Sequence, residues 1–211
     1  MLDAVRFVGR EKAHFLVVGQ RWDLDILEPL DFSEGWVETL RARVQLEGQL
    51  HGQTGSDYFI YPRECYKDIP DFAVGRAGWD NWMIFQARWM HWPLVDATQA
   101  MTVIHQNHDY AHLPGGIKHF YQPETADNVQ KAGGRLSIFR LTDANHVLVG
   151  KQIHRKVLNG RSFWREVEIF PLVSLHSRIL GWLSFALFHP QKAFKALKGW
   201  LNYKYKQNHD E

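Results

Sequence analysis

One cysteine, Cys65, stands in the 211 residues, so no disulfide can close within the chain. That scarcity suits a reducing, cytoplasmic setting. The first residues, MLDAVRFVGREKAHF, carry basic groups but no long apolar run behind them, which excludes a secretory signal. No stretch elsewhere is long and apolar enough to read as a transmembrane helix. Motifs are missing as well. There is no GxSxG elbow, no Walker A loop, no GxGxxG and no HExxH, so serine-hydrolase, P-loop, Rossmann and zincin chemistries lose their main support. A single cysteine also excludes a thiolate-rich zinc site. Finally, no Asp or Glu occurs between Pro171 and His209, where six Lys and Arg residues lie. Once Asp210 and Glu211 are counted, the overall charge of +2 leaves residues 1–170 at −2.

Aromatics are plentiful: nine Trp, thirteen Phe and seven Tyr. Such rings fill cores and also form platforms on which sugars stack. Four short apolar runs read as strands: FLVV (15–18), YFIY (58–61), LV (94–95) and MTVI (101–104). All but YFIY lack alternation, the pattern of strands covered on both faces. Two helices are expected between them. FSEGWVETLRARVQLEG takes Ser33 as N-cap and Gly48 past its end, and WDNWMIFQARWMHW takes Asp80 as N-cap and Pro93 as its stop. The second is apolar nearly all round and should be buried. RLSIFRLTDA and HVLVGKQIHRKVL read as strand, turn, then strand or helix. Strands alternating with helices imply an α/β layered domain over residues 1–170, with 171–211 as a helical tail.

Polar residues follow the strands: Gln20 and Arg21 after FLVV, Asp96 after LV, His105 onward after MTVI. Ligands of open α/β sheets gather beyond the carboxyl ends of strands. HQNHDYAHLPGG (105–116) is the densest polar stretch, with His105, His108 and His112 at i, i+3 and i+7. Asn107, Asp109 and the following Pro114-Gly115-Gly116 oppose a helix there, so a strand end and loop are expected. His105 reads either as one histidine ligand of a carboxylate-bound divalent cation or as a backbone hydrogen-bonding group. WDLD (22–25) offers two carboxylates at DxD spacing, read either as oxygen ligands for Mg²⁺ or Mn²⁺ or as a solvated loop.

The segment GSDYFIYPRECYKDIPDFAVGRAGWDNWMIFQARWMHWPLVDATQAMTVIHQNHDY resembles the second half of a GT-A-type, family-2-like glycosyltransferase. The parts occur in the same order: a Gly-rich entry to a strand, R-E-x-x-x-x-I-P-x-F, and a Gly-Trp-acid turn opening a helix. A short strand and a strand ending in histidine then follow. The resemblance spans about Phe15 to Gly116, roughly half of the chain. It implies a partial GT-A-like layered sheet with flanking helices and transfer of a sugar from a nucleotide-sugar donor. It also implies Asp80 as catalytic base and His105 at the metal or diphosphate. Arg21, Asp57, Asn81, Asn107, His108, Asp109 and Tyr110 become candidates for contacts with sugar or diphosphate, and a divalent cation (Mg or Mn) becomes the expected cofactor. One positioned carboxylate suggests an inverting displacement. A helix N-terminus lowers the pKa of such an acid, whereas apolar neighbours such as Trp79 and Trp82 raise it. Asp80 also reads as a plain N-cap.

Such enzymes begin with a nucleotide-binding βαβ half, yet FLVV starts within fifteen residues of Met1. The resemblance therefore implies the C-terminal portion of a longer enzyme, a chain that has lost donor binding, or a partner that supplies the donor half. Two other readings stand beside it: a carbohydrate-binding module without catalysis, suggested by the aromatics, and a metal-dependent phosphohydrolase, suggested by His108-Asp109. Nucleic acid is not an expected partner, because the basic residues cluster in one hydrophobic tail. Within that tail Phe194, Leu197 and Leu201 share a helical face with lysines mainly elsewhere. This is either a basic amphipathic helix at the inner membrane surface, near a lipid-linked acceptor, or a helical pair packed back on the domain.

Overall fold

A computed structural model describes residues 8–10, 13–107 and 122–207, the last nine by backbone alone. The fold is mixed α/β. Seven short strands, β1 (Leu16–Val18), β2 (Trp22–Leu24), β3 (Gln49–Leu50), β4 (Leu94–Asp96), β5 (Ile104–Gln106), β6 (His146–Val149) and β7 (Gln152–Arg155), form two sheets. The first has the order β1-β4-β6-β7, parallel except for the edge strand β7; the second has the order β3-β2-β5. Among the described residues the longer helices are α1 (Trp36–Glu47), α2 (Trp79–Trp89), α3 (Pro123–Lys131), α4 (Gly160–Val173), α5 (Arg178–Phe188) and α6 (Pro190–Gln207). Two 3-10 turns, Arg135–Ser137 and Leu141–Asp143, link α3 to β6.

β1 and β4 lie side by side in parallel, Val17 opposite Val95, and both bury apolar residues on two faces. Leu16, Val18 and Leu94 face the larger core with Trp82, Phe85, Phe139, Ile169 and Leu172. Val17 and Val95 face a smaller one with Phe15, Met101 and Leu148. This two-sided burial is what their unbroken apolar runs demand. YFIY is extended beside β1 but forms only one bridge, Ile60 with Val17, and the following Pro62 has no N–H to lengthen the ladder. MTVI is not a strand until its last residue. The carboxylate of Asp96 accepts from Thr98 N and Oγ1, and Ala97 O accepts from Ala100 and Met101, so the chain turns before β5 begins at Ile104.

α2 buries Trp82, Met83, Ile84, Phe85, Ala87 and Arg88, as its all-round apolar pattern requires. Both helix starts differ from the sequence reading. Ser33 is not the N-cap of α1, because Asp31 engages its N–H and hydroxyl; Gly35 occupies that position in a left-handed conformation. Gly78, not Asp80, caps α2. Its φ of 110° and the 3.1 Å approach that a Cβ there would make to Asn128 leave room for glycine alone. RLSIFRLTDA forms the two 3-10 turns instead of a strand, held by Phe139 in the core and by Asp143, whose carboxylate accepts from Arg140 N at 2.8 Å. HVLVGKQIHRKVL closes as the β6–β7 hairpin. The tail does not start at a break: α4 runs through Pro171, so the boundary at residue 170 falls inside a helix. α4 sends Ile169, Leu172 and Val173 into the core, and α5 packs back on it where Gly181 meets Leu172. No helix among the described residues is long and apolar enough to cross a membrane.

Candidate functional site

β1 leaves the first sheet at Gly19 and enters the second as β2, and β4 does the same into β5. At Gly19 the backbone passes against the Tyr58 ring, and a Cβ there would lie 3.0 Å from Thr98 N. The Tyr58 hydroxyl is buried with no hydrogen-bond partner, and burial, with Asp96 adding to it, drives its pKa far above the ordinary phenol value. β2 and β5 pair in parallel with Asp23 opposite His105 and Leu24 opposite Gln106. WDLD and IHQN thus lie side by side with their carboxyl ends together. They are about 80 residues apart in the chain, and only this pairing joins them.

Asp23 is the hub of the arrangement. Arg21 Nε donates to its Oδ1 at 2.7 Å, His51 Nδ1 lies 2.7 Å from its Oδ2, and His105 Nδ1 lies 3.4 Å from its Oδ1. Arg21 uses a second nitrogen to hold Asp57. Burial opposes the charge on Asp23, but hydrogen bonds from His51 and Arg21 outweigh it and hold the carboxyl below the usual aspartate range. Burial likewise opposes the Arg21 charge, and Asp57 and Asp23 overcome it, so the guanidinium pKa is raised. The next carboxylate along β2 continues the edge: Asp25 Oδ1 accepts from Asn107 Nδ2 at 2.9 Å. The side chain of Gln20 reaches the His51 carbonyl, which ties β3 to the crossover.

Asp80 is the second residue of α2. Its carboxylate turns back to accept from Gly78 N at 3.2 Å, and the N–H groups of Asn81 and Asp80 itself add further bonds. Desolvation nevertheless dominates and raises its pKa, and the charge of Asp57 pushes in the same direction. Of the two opposed effects at this helix start, burial outweighs the backbone hydrogen bonds. The turn that presents Asp80 is held from outside. Asn128 of α3, fully buried, accepts from Ala73 N at 2.9 Å and donates to Ala73 O at 2.9 Å and to Ala77 O at 3.3 Å.

The structure therefore joins Arg21 and Asp57 to Asp23 by hydrogen bonds, sets His105 against the same carboxylate at 3.4 Å and Asn107 on its edge, and leaves Asp80 within electrostatic reach of Asp57. The amide of Asn81 is taken up by the Phe139 carbonyl at 2.7 Å, which fastens α2 to the 3-10 segment. His108, Asp109, Tyr110 and His112 lie outside the described residues. Sequence reasoning missed two residues of the cluster as site members. Asp23 carried a signal, its DxD spacing; His51 carried none, since only the antiparallel pairing of β3 with β2 delivers it.

Among the described residues no three His, Cys, Asp or Glu side chains gather as ligands, and both oxygens of Asp23 already face nitrogen donors. The positive charge at the cluster is that of Arg21. Comparison with known proteins adds no relative: no family model, no curated protein and no solved structure matches the chain.

Proposed function

We propose that the chain is the acceptor-side part of a GT-A-like glycosyltransferase and that Asp80 serves as general base for a sugar acceptor hydroxyl. The observation that carries this reading is the placing of the Asp80 carboxyl at the mouth of a buried helix, near a cluster at the carboxyl ends of parallel strands, where burial also raises its pKa. A carboxyl of raised pKa is a stronger base once ionised, and positioned acid–base groups contribute roughly 10²–10⁴-fold to rate. In the proposed step Asp80 takes the proton of the acceptor hydroxyl, whose oxygen attacks the anomeric carbon. The bond from that carbon to the diphosphate oxygen breaks, and the leaving group departs as the nucleoside diphosphate. Arg21, with His51 and His105 when protonated, supplies positive charge on the side where that group would rest. No step is routed through a cation.

One observation favours the reading as a carbohydrate-binding module. An open groove of about 400 Å³ lies between α1 and the start of β5, lined by Trp36, Leu40, Arg41, Met101, Thr102 and Ile104, and Phe32 stacks edge-on with Trp36 at 4.9 Å beside it. The exposed Phe32 ring beside the half-buried Trp36 at this groove suits a sugar face.

Turnover of sugar nucleotides, measured with a panel of carbohydrate acceptors, tests both readings. We expect Asp80→Asn to lower turnover by roughly 10²–10⁴-fold with acceptor binding intact by calorimetry. Unchanged turnover in Asp80→Asn would overturn the role of Asp80. Saturable carbohydrate binding with no turnover in either protein selects the binding module, and neither binding nor turnover rejects both.

A further inference from the structure

α5 was expected to be buried if its composition alone decided, since RILGWLSFALF is apolar on almost every side. It buries only Gly181 fully. Its inner side is fixed by Gly181 against Leu172 and by Ser184 Oγ donating to Glu168 O at 2.7 Å. Ile179, Leu183 and Leu187, spaced i, i+4 and i+8, form an outer stripe and are 76%, 59% and 79% exposed. α6 adds Phe194, 69% exposed, and the half-exposed Leu197. Contiguous exposed apolar residues of this kind mark a surface that meets something other than water.

Charge says what that something is. The acids on α4 are both neutralised from within. Arg88 grips Glu166 through both guanidinium nitrogens, and Glu168 pairs with Arg165 at 2.9 Å and His189 at 3.2 Å. No Asp or Glu follows until Asp210. Lys192, Lys195 and Lys198, exposed at i, i+3 and i+6 on α6, have no acidic neighbour on their own helix or on α5. A helix with an apolar stripe beside unpaired lysines lies in the interface of a membrane, where apolar burial and attraction to anionic headgroups add. An interface with a second copy would set these lysines near their own kind, with no acids in α5 or the described part of α6 to pair them.

We infer that α5 and α6 form a docking surface for an anionic lipid bilayer, with Ile179, Leu183, Leu187 and Phe194 entering the headgroup boundary and Lys192, Lys195 and Lys198 meeting lipid phosphates. The surface is independent of the glycosyl-transfer reading, and either one stands if the other fails.

Flotation of the full chain with phosphatidylcholine vesicles, with and without phosphatidylglycerol, tests the inference. Circular dichroism confirms that each variant keeps its fold. We expect binding to the anionic vesicles that weakens as salt is raised. The triple variant Lys192→Glu, Lys195→Glu, Lys198→Glu should lose the preference for anionic vesicles by about a hundredfold or more. The triple variant Ile179→Ser, Leu183→Ser, Leu187→Ser should lose binding to both vesicle types by at least about tenfold. Failure of the wild-type chain to float with anionic vesicles overturns the inference. So does a wild-type dimer in analytical ultracentrifugation that the serine variant disperses while lipid binding stays absent, because the face would then join two copies of the chain.

Discussion

The network beneath α4 has a centre sealed from water, with Arg165 and Glu166 at its rim 28% and 31% exposed, whereas the charges at the ends of β2 and β5 are all partly open to it. In the first group the side chains of Arg88, Asp143 and Glu168 are 7%, 2% and 7% exposed. In the second those of Arg21, Asp23, His105 and Asp57 range from 17% to 37%. Partners differ too. Under α4 every donor is matched by a geometrically fixed acceptor: Arg88 takes both oxygens of Glu166 and the carbonyl of Asp143, and Arg165 bridges Asp143 and Glu168 while lying 5.1 Å over the Phe139 ring. Around Asp23, Arg21 and His51 hydrogen-bond one carboxylate from two segments, and His105 of a third lies 3.4 Å from it. A closed, saturated network fastens elements together, whereas a half-open one with titratable histidines can exchange an internal partner for a ligand. Ion pairs alone therefore do not mark a site; their access to solvent and their position at strand ends do.

This contrast can be broken in order of expected effect. Arg88→Met should cost the most, about 2–3 kcal/mol of folding stability by denaturant titration, because the Asp143 carbonyl and Glu166 lose a buried donor. Adding Glu166→Met should recover much of that loss, since an apolar pair removes the stranded charge. Asp23→Ala should cost less, about 1 kcal/mol at pH 7, because Arg21 keeps Asp57 and the residue is partly hydrated. Its folded pKa is depressed, so the wild-type advantage is full above the unfolded value of about 4 and fades as pH falls through the folded one. Denaturation midpoints of wild type and variant should converge in acid.

Asp80 has the opposite sign. A raised folded pKa means that the ionised form costs stability, and the cost appears as pH rises through the unfolded value toward the folded one. Asp80→Asn should therefore melt no lower than wild type at neutral pH, with a difference that shrinks in acid. The smallest effect is expected at His91, which lies just past the end of α2 with φ of 56° and whose Nε2 sits 3.1 Å from that of His176. His91→Gly relieves backbone strain but frees the neighbouring loop, so a net change within about 1 kcal/mol is expected in thermal unfolding.

Much of the scaffold was legible because its signals are local. Unbroken apolar runs marked β1 and β4, and the aromatic helix α2 declared its own burial. Turns decided by side-chain capping were less legible. Asp31 displaced the start of α1 from Ser33, Asp96 delayed β5, and Gly78 took the cap of α2 and moved Asp80 two residues inward. The site was legible in part for the same reason. Arg21, His105 and Asn107 were named from their places after strands and Asp57 through the resemblance, while His51 depends on a pairing that no local pattern announces.

What the sequence by itself determined is the two-sided burial of the central strands, the acid at the mouth of a buried helix, and a tail without acids. Those follow from composition and periodicity, which act between near neighbours. Only the tertiary structure decided that Asp23 and His105 stand opposite one another, that burial outweighs the backbone hydrogen bonds at Asp80 and raises its pKa, and that α5 turns its apolar stripe outward. Each depends on which distant segment comes to lie alongside, and that is settled by the packing of the whole chain.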